Sequence, residues 1–294
     1  MRFLFVDRIL TLSSPTGSVC GIKHITPADF YLSSDESGRH CFMSALIGET
    51  LGQMTAWAVM NQNDFRLRPV AGIVESVILQ RAAYVGETLE LESWIDALDD
   101  TAVQYHGEVR VGSELIFRLE GALGPMLPME DFIDPFLVRR QFAEINRPGD
   151  WPYLATPAPL AIAESHRQFA LEYDHITASE PGIRISAVKH VTRAAPYFPD
   201  HFPHKPVLPL TVLLECHMNL AKVFLARAGL SGQYRIHSLR RIKMSDFVYP
   251  GDVVVCDVTV KSHSAHELIL RFCATVAGKR MNVLEMVLVG TGDQ

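Results

Sequence analysis

The chain repeats itself. The segment FLFVDRILTLSSPTGSVCGIKHITPADFY, from Phe3, runs parallel to FALEYDHITASEPGIRISAVKHVTRAAPYF, from Phe169. Asp7 matches Asp174 and Ile9 matches Ile176. After a one-residue adjustment Ile22/Val188, Lys23/Lys189, His24/His190 and Thr26/Thr192 hold a constant offset of 166, which persists to Glu49/Glu215. Farther on, AAYVGETLELE from Ala82 resembles FVYPGDVVVCD from Phe247, each turning at Gly86 or Gly251 before a run of alternating residues. Such self-similarity means one supersecondary unit used twice, which constrains the fold more than any single element does.

The order of elements is the same in both copies: a strand pair, a loop, one long apolar helix, then three strands rich in Val, Ile and Leu. That is a helix laid on an antiparallel sheet, an α+β arrangement. The first helix is expected over 43–60, where the polar strip is so narrow that sheet must wrap it. The second is expected over 208–228, with Pro209 at the first helical position, Gly229 just past the end, and Lys222 and Arg227 in the closing turns. The first module therefore covers 1–124 and the second 166–294. The connector over 125–165 holds seven prolines (Pro125, Pro128, Pro135, Pro148, Pro152, Pro157, Pro159) and a short helical piece near 131–142.

Composition narrows the partners. Charged residues make up 20% of the 294, with a formal net charge of -6, so neither nucleic acid nor a membrane surface is expected. The apolar N-terminus is broken by Asp7 and Arg8 before a signal-peptide core forms, and no run is long enough to span a bilayer, which reads as a cytoplasmic chain. Cys20, Cys41, Cys216, Cys256 and Cys273 lack any CxxC pair, in keeping with reduced, mostly buried thiols.

Each buried helix carries one carboxylate at the same place, Glu49 and Glu215. A charge in an apolar setting must shift its pKa or find a partner, and either a functional or a local structural reason accounts for a single Glu. Ahead of Glu215 stands His201, in YFPDHFPHKPVLPLTVLLE. This stretch resembles the signature of the beta-hydroxyacyl-acyl-carrier-protein dehydratases, hot-dog enzymes of fatty acid synthesis. It has an aromatic pair (Tyr197, Phe198), the triplet His201-Phe202-Pro203, prolines spaced three apart (Pro206, Pro209) and a helix bearing Glu215. RRIKMSDFVYPGD, at 240–252, is similar to the family as well, so the resemblance covers most of the second module. The first module shares strand pattern and helix but not the loop, and places Asp35 where the histidine stands.

The resemblance implies a double hot-dog, two modules side by side with sheets joined and two central helices buried. It also implies that each site joins the histidine of one module to the helix carboxylate of the other. His201 is then expected to face Glu49 in one intact site, and Asp35 to face Glu215 in a degenerate one. A neutral imidazole removes the proton beside the thioester carbonyl, and a carboxyl kept protonated by burial releases the hydroxyl as water. Backbone N–H groups at the helix start, Leu210 among them, are expected to hold the thioester oxygen. Leu210, Asp200 and His204 replace glycines of the family pattern. Tyr197, Phe202, Pro203 and Leu210 are expected against substrate.

The implied activity is dehydration of a 3-hydroxyacyl thioester to a trans-2-enoyl thioester in fatty acid or polyketide-type synthesis. No metal or other cofactor is expected: His201 and His204 flank Pro203 without a compact ligand set. The implied partner is an acyl carrier protein or coenzyme A thioester, and a homodimer of the whole chain stays open. Arg235, Arg240, Arg241 and Lys243 form a basic cluster that suits either an acidic carrier or a solvated strand face. The rival readings are a hot-dog thioesterase or hydratase, and a non-catalytic protein that binds acyl carrier or a partner dehydratase.

Overall fold

The computed structural model describes residues 2–13, 17–35, 37–151, 169–264 and 266–292. The first half holds β1 (Arg8–Thr11), β2 (Ser18–His24), β3 (Leu32–Ser34), β4 (His40–Phe42), α1 (Ser44–Gln62), β5 (Leu67–Pro69), β6 (Ile73–Leu79), β7 (Ala83–Tyr84), β8 (Thr88–Leu98), β9 (Ala102–Val111) and β10 (Glu114–Pro128). A 3-10 turn at Met129–Asp131 and α2 (Pro135–Ile145) follow. The second half holds β11 (His175–Glu180), β12 (Arg184–His190), α3 (Leu210–Arg227), β13 (Tyr234–Met244), β14 (Val253–His263), β15 (Glu267–Val276) and β16 (Lys279–Gly290).

One antiparallel sheet runs β1-β2-β8-β9-β10-β6-β13-β16-β15-β14-β12-β11, with β5 beside β10. Read outward from the β6–β13 junction, the two halves repeat one order, so the sequence repeat becomes a repeat of pairing. At that junction Ser238 faces Ile78, Arg240 faces Ser76 and Ile242 faces Val74. The strands β3, β4 and β7 form a separate small sheet. Four long strands follow each helix rather than three: the strand next to the helix in sequence, β6 or β13, is the one that crosses to the other half.

Alternation decides which face meets the helices. Leu89 and Leu91 of β8, and Val254, Cys256 and Val258 of β14, are buried on one side. Against the β8 side lies α1, with Leu46, Ile47, Leu51, Met54 and Val59 all buried. Each such side chain contributes about 1.5–3 kcal/mol on burial, which outweighs the ~1 kcal/mol helix penalty of Gly48 or of Gly52. The helix α1 also packs on α3. Both helices start and stop within two residues of expectation, but Pro209 is the N-cap of α3, with extended backbone (ψ 136°), and Leu210 is the first helical residue. Gly229, at φ 71°, ends α3 in the left-handed conformation that glycine adopts without strain.

β10 runs through Pro128, past the expected start of the connector at 125. The helical piece is α2, opened by the Asp134 side chain accepting the Phe136 N–H, with Pro135 in the first turn. Phe142 of α2 packs its ring 6.1 Å from Trp57 and 5.5 Å from Phe65. The connector residues Pro152, Pro157 and Pro159 lie outside the described residues. No helix among the described residues is long and apolar enough to cross a membrane.

Candidate active site

A cavity of about 210 Å³ lies between α1, α3 and the sheet. Its wall follows α1 from Gly48 to Met60, about 18 Å at 1.5 Å per residue. Most of the wall is apolar, and polar groups interrupt it, among them Glu49, Gln53, Arg68, Tyr105, Asp200, His201 and Thr211.

Glu49 and His201 line this cavity from the two halves of the chain. The first turns of α1 and α3 meet, and each sends its carboxylate to the other. Thr211 Oγ1 donates to Glu49 Oε2 at 2.6 Å, while the Ala45 N–H donates to Glu215 Oε2 at 3.0 Å. Ala45 and Thr211, like Glu49 and Glu215, are mates at the offset of 166, so the two contacts are related by the same internal symmetry. Their surroundings differ. Glu215 is 3% exposed and lies outside the cavity, where it caps α1. Glu49 lines the cavity, and Gln53 Nε2 donates to its Oε1 at 2.9 Å. Burial pushes the Glu49 carboxyl above its ordinary range, against the smaller opposing effects of Thr211, Gln53 and the Arg68 charge.

His201 sits in the turn before α3. Its Nδ1 is 2.9 Å from the Val207 carbonyl oxygen, and only an N–H can serve there, so Nδ1 carries the proton and Nε2 keeps its lone pair. Burial lowers the imidazole to about 3, which leaves it neutral at physiological pH. Its ring stacks on Phe202 at 4.0 Å between centres, and Phe3 meets it edge-on at 5.8 Å. The loop is tied down on both sides. Asp200 Oδ2 accepts the Phe3 N–H at 2.7 Å, and His204 Nδ1 lies 3.1 Å from the Glu130 carbonyl of the connector.

The structure thus brings His201, Glu49, Phe202 and Leu210 to one cavity. Tyr197 is buried behind it, in ring contact with Phe3 and Phe198. Pro203 is exposed and does not line it. The expected meeting of Asp35 with Glu215 is not found. Asp35 lies in an exposed β3–β4 hairpin, where its carboxylate accepts from the Ser37 and Arg39 N–H groups and from the hydroxyls of Ser37 and Tyr84. Those hydrogen bonds hold it down at about 2. The hairpin turns it outward, which a match by offset alone cannot foresee.

Thr211, Gln53 and Arg68 were not anticipated. Thr211 had a signal, because it is the one hydroxyl that replaces a methyl beside an otherwise matched carboxylate. Gln53 and Arg68 had none. A separate cluster joins Cys256, His217 and Asn282, with His217 Nε2 3.0 Å from Asn282 Oδ1 and Cys256 Sγ 3.6 Å from Nδ1. It does not line the cavity. Burial pushes the thiol up to about 12 and the imidazole down to about 4, so this is a neutral core network without a thiolate.

A FabA-like domain is matched over residues 165–285. The 3-hydroxyacyl-(acyl-carrier-protein) dehydratase FabZ of Cupriavidus metallidurans is 31% identical over 118 residues, 39% of this chain and 79% of that protein. The FabZ of a Polaromonas species is 35% identical over 106 residues, 34% of this chain and 72% of that protein. Among solved structures, an acyl-ACP thioesterase from Bacteroides thetaiotaomicron matches with TM-score 0.54 and 12% identity, covering 92% of this chain and 97% of its own. The 12:0-ACP thioesterase from Umbellularia californica matches with TM-score 0.52 and 13% identity, over 93% and 94%. These structures share the fold, and the sequence relatives identify the lineage. The chain belongs to the FabA-like family of hot-dog proteins, alongside the 3-hydroxyacyl-(acyl-carrier-protein) dehydratases.

Proposed function

We propose that this chain is a double hot-dog, with modules over 1–124 and 166–294 joined by the connector over 125–165, and that it dehydrates a 3-hydroxyacyl thioester to the trans-2-enoyl thioester. The observation that carries this reading is a neutral imidazole and a carboxyl whose pKa burial raises, lining one cavity from opposite halves of the chain. His201 Nε2 takes the proton from the carbon next to the thioester carbonyl. The charge that gathers on the carbonyl oxygen meets the first-turn N–H groups of α3, at Leu210 and Thr211, which no intrahelical acceptor satisfies. Glu49 delivers its proton to the departing hydroxyl, and water leaves. Phe202 and Leu210 shape the wall, and Tyr197 fixes the loop from behind. Exposed Arg240, Arg241 and Lys243 on β13 offer a face for the acidic carrier that presents the thioester.

Thioester hydrolysis is the second reading, because the solved structures that match nine-tenths of the chain are thioesterases by name. The two reactions separate in one assay of 3-hydroxyacyl pantetheine thioesters: dehydration gives a conjugated enoyl thioester, whereas hydrolysis gives a free thiol. His201→Ala and Glu49→Gln are expected to lower enoyl formation by about 10²–10⁴-fold, the usual worth of a general acid or base. Glu215→Gln keeps an acceptor for the Ala45 N–H and retains most activity. If Glu215→Gln is as inactive as His201→Ala while Glu49→Gln turns over normally, the assignment of Glu49 is wrong.

A further inference from the structure

One charged group in the cavity has no part in the dehydration. Arg68, on β5, lays its guanidinium 3.7 Å from the centre of the Phe202 ring and 5.5 Å from that of Phe132. Among the described residues its guanidinium donates no hydrogen bond and enters no ion pair, and its Nε is buried without an acceptor. Burial lowers the guanidinium to about 9, still above neutral pH, so the group stays cationic. Stacking on an aromatic ring recovers only part of the cost of a desolvated charge with idle donors.

The other titratable groups along the cavity do not supply the missing partner. Glu49 acts on Arg68 through space, but its two oxygens are held by Thr211 and Gln53 and it keeps its proton in the reading above. Asp200 is taken by Arg2 and the Phe3 N–H. His201 is neutral, and its Nδ1 proton serves the Val207 carbonyl. The Tyr105 hydroxyl has no hydrogen-bond partner among the described residues. It lies where a Cβ on Gly52 would come within 3.3 Å of it, one turn of α1 from Glu49. The cavity thus presents a cation and a hydroxyl that have no hydrogen-bond partner among the described residues.

We propose that Arg68 makes this site selective for acyl chains that carry an oxygen anion, in the simplest case a carboxylate, a few carbons beyond the reacting carbons. The position follows from the stack. Phe202 lies 4.0 Å from the His201 ring and 3.7 Å from the guanidinium, so the cation is within two stacking distances of the imidazole. The fork of Arg suits a carboxylate bidentately. The inference rests on the dehydratase reading for the chemistry but not for the binding.

The test compares 3-hydroxyacyl pantetheine thioesters of matched length that end in a carboxylate or in a methyl group. The wild type is expected to favour the carboxylate series in kcat/KM by about tenfold or more. Arg68→Leu is expected to invert that order, losing the carboxylate series and gaining on the methyl series, with Arg68→Lys between. Equal rates for both series in the wild type, or an equal loss on both in Arg68→Leu, overturns the proposal. A second arm adds the phosphate to the pantetheine. If the Arg68→Leu loss appears only with phosphorylated substrates, the cation serves the carrier's phosphate and the proposal fails. If the wild type dehydrates neither series, the dehydratase reading fails, and binding then decides the role of Arg68. Titration with non-hydrolysable pantetheine amides of a dicarboxylic acid and of the matching fatty acid should show the carboxylate preference in the wild type and its loss in Arg68→Leu. No preference there refutes it.

Discussion

Thr211 and Ala45 occupy matching places in the repeat, and the first offers its hydroxyl to the Glu49 carboxylate while the second offers its backbone N–H to Glu215. The Thr211 hydrogen bond lowers the Glu49 pKa against the larger rise from burial. Thr211→Val is therefore expected to raise it further, moving the alkaline fall of kcat to higher pH and lowering kcat about three- to tenfold, the worth of one hydrogen bond. A pH–rate profile checks both effects. The His201 imidazole, lowered to about 3, stays an unprotonated base throughout neutral and mildly acidic pH, so the profile should show no His limb near its ordinary range. At this scale the sequence singled out His201 and Glu49 through the HFP triplet and the repeat, and both line the cavity. Arg68 was hidden: a lone basic residue in LRP looks the same on a solvated strand as it does under an aromatic stack.

Elements were read with uneven success, and the reason is physical. Long apolar helices and alternating strands announce themselves by period, and both helices lie within two residues of where the pattern puts them. The turns were also visible. Gly86 and Gly251 have φ of 98° and 96°, and each donates its N–H to the residue that leaves β2 or β12, Ile25 or Val191. Alanine at either turn is expected to cost about 1–2 kcal/mol, additively because the sites are far apart, as measured by urea unfolding. Nothing periodic describes the β3–β4 hairpin, whose three-residue strands are held by pairing with each other and with β7. Asp35 was therefore placed by counting and proved to be elsewhere. The connector helix was legible in position, while its docking of Phe142 on Trp57 depends on tertiary packing that local sequence does not encode.

At the scale of the molecule, the junction of β6 with β13 makes one sheet of two halves, and the meeting of α1 with α3 leaves one cavity lined by both. The second half contributes His201 and the loop around it, and the first contributes Glu49, Arg68 and the α1 wall of the cavity. In the proposed reaction the first half therefore serves as structure and as chemistry even though its own loop carries no histidine. Covalent linkage adds a consequence for concentration. A site divided between separate chains empties as those chains dissociate, whereas here the local concentration of one half around the other is set by the tether and the sheet. Turnover per chain is expected to stay constant on serial dilution, and a chain carrying both His201→Ala and Glu49→Gln should not depress the activity of a wild-type chain mixed with it. In the proposed reading, the covalent tether between the halves thus frees the site from mass action.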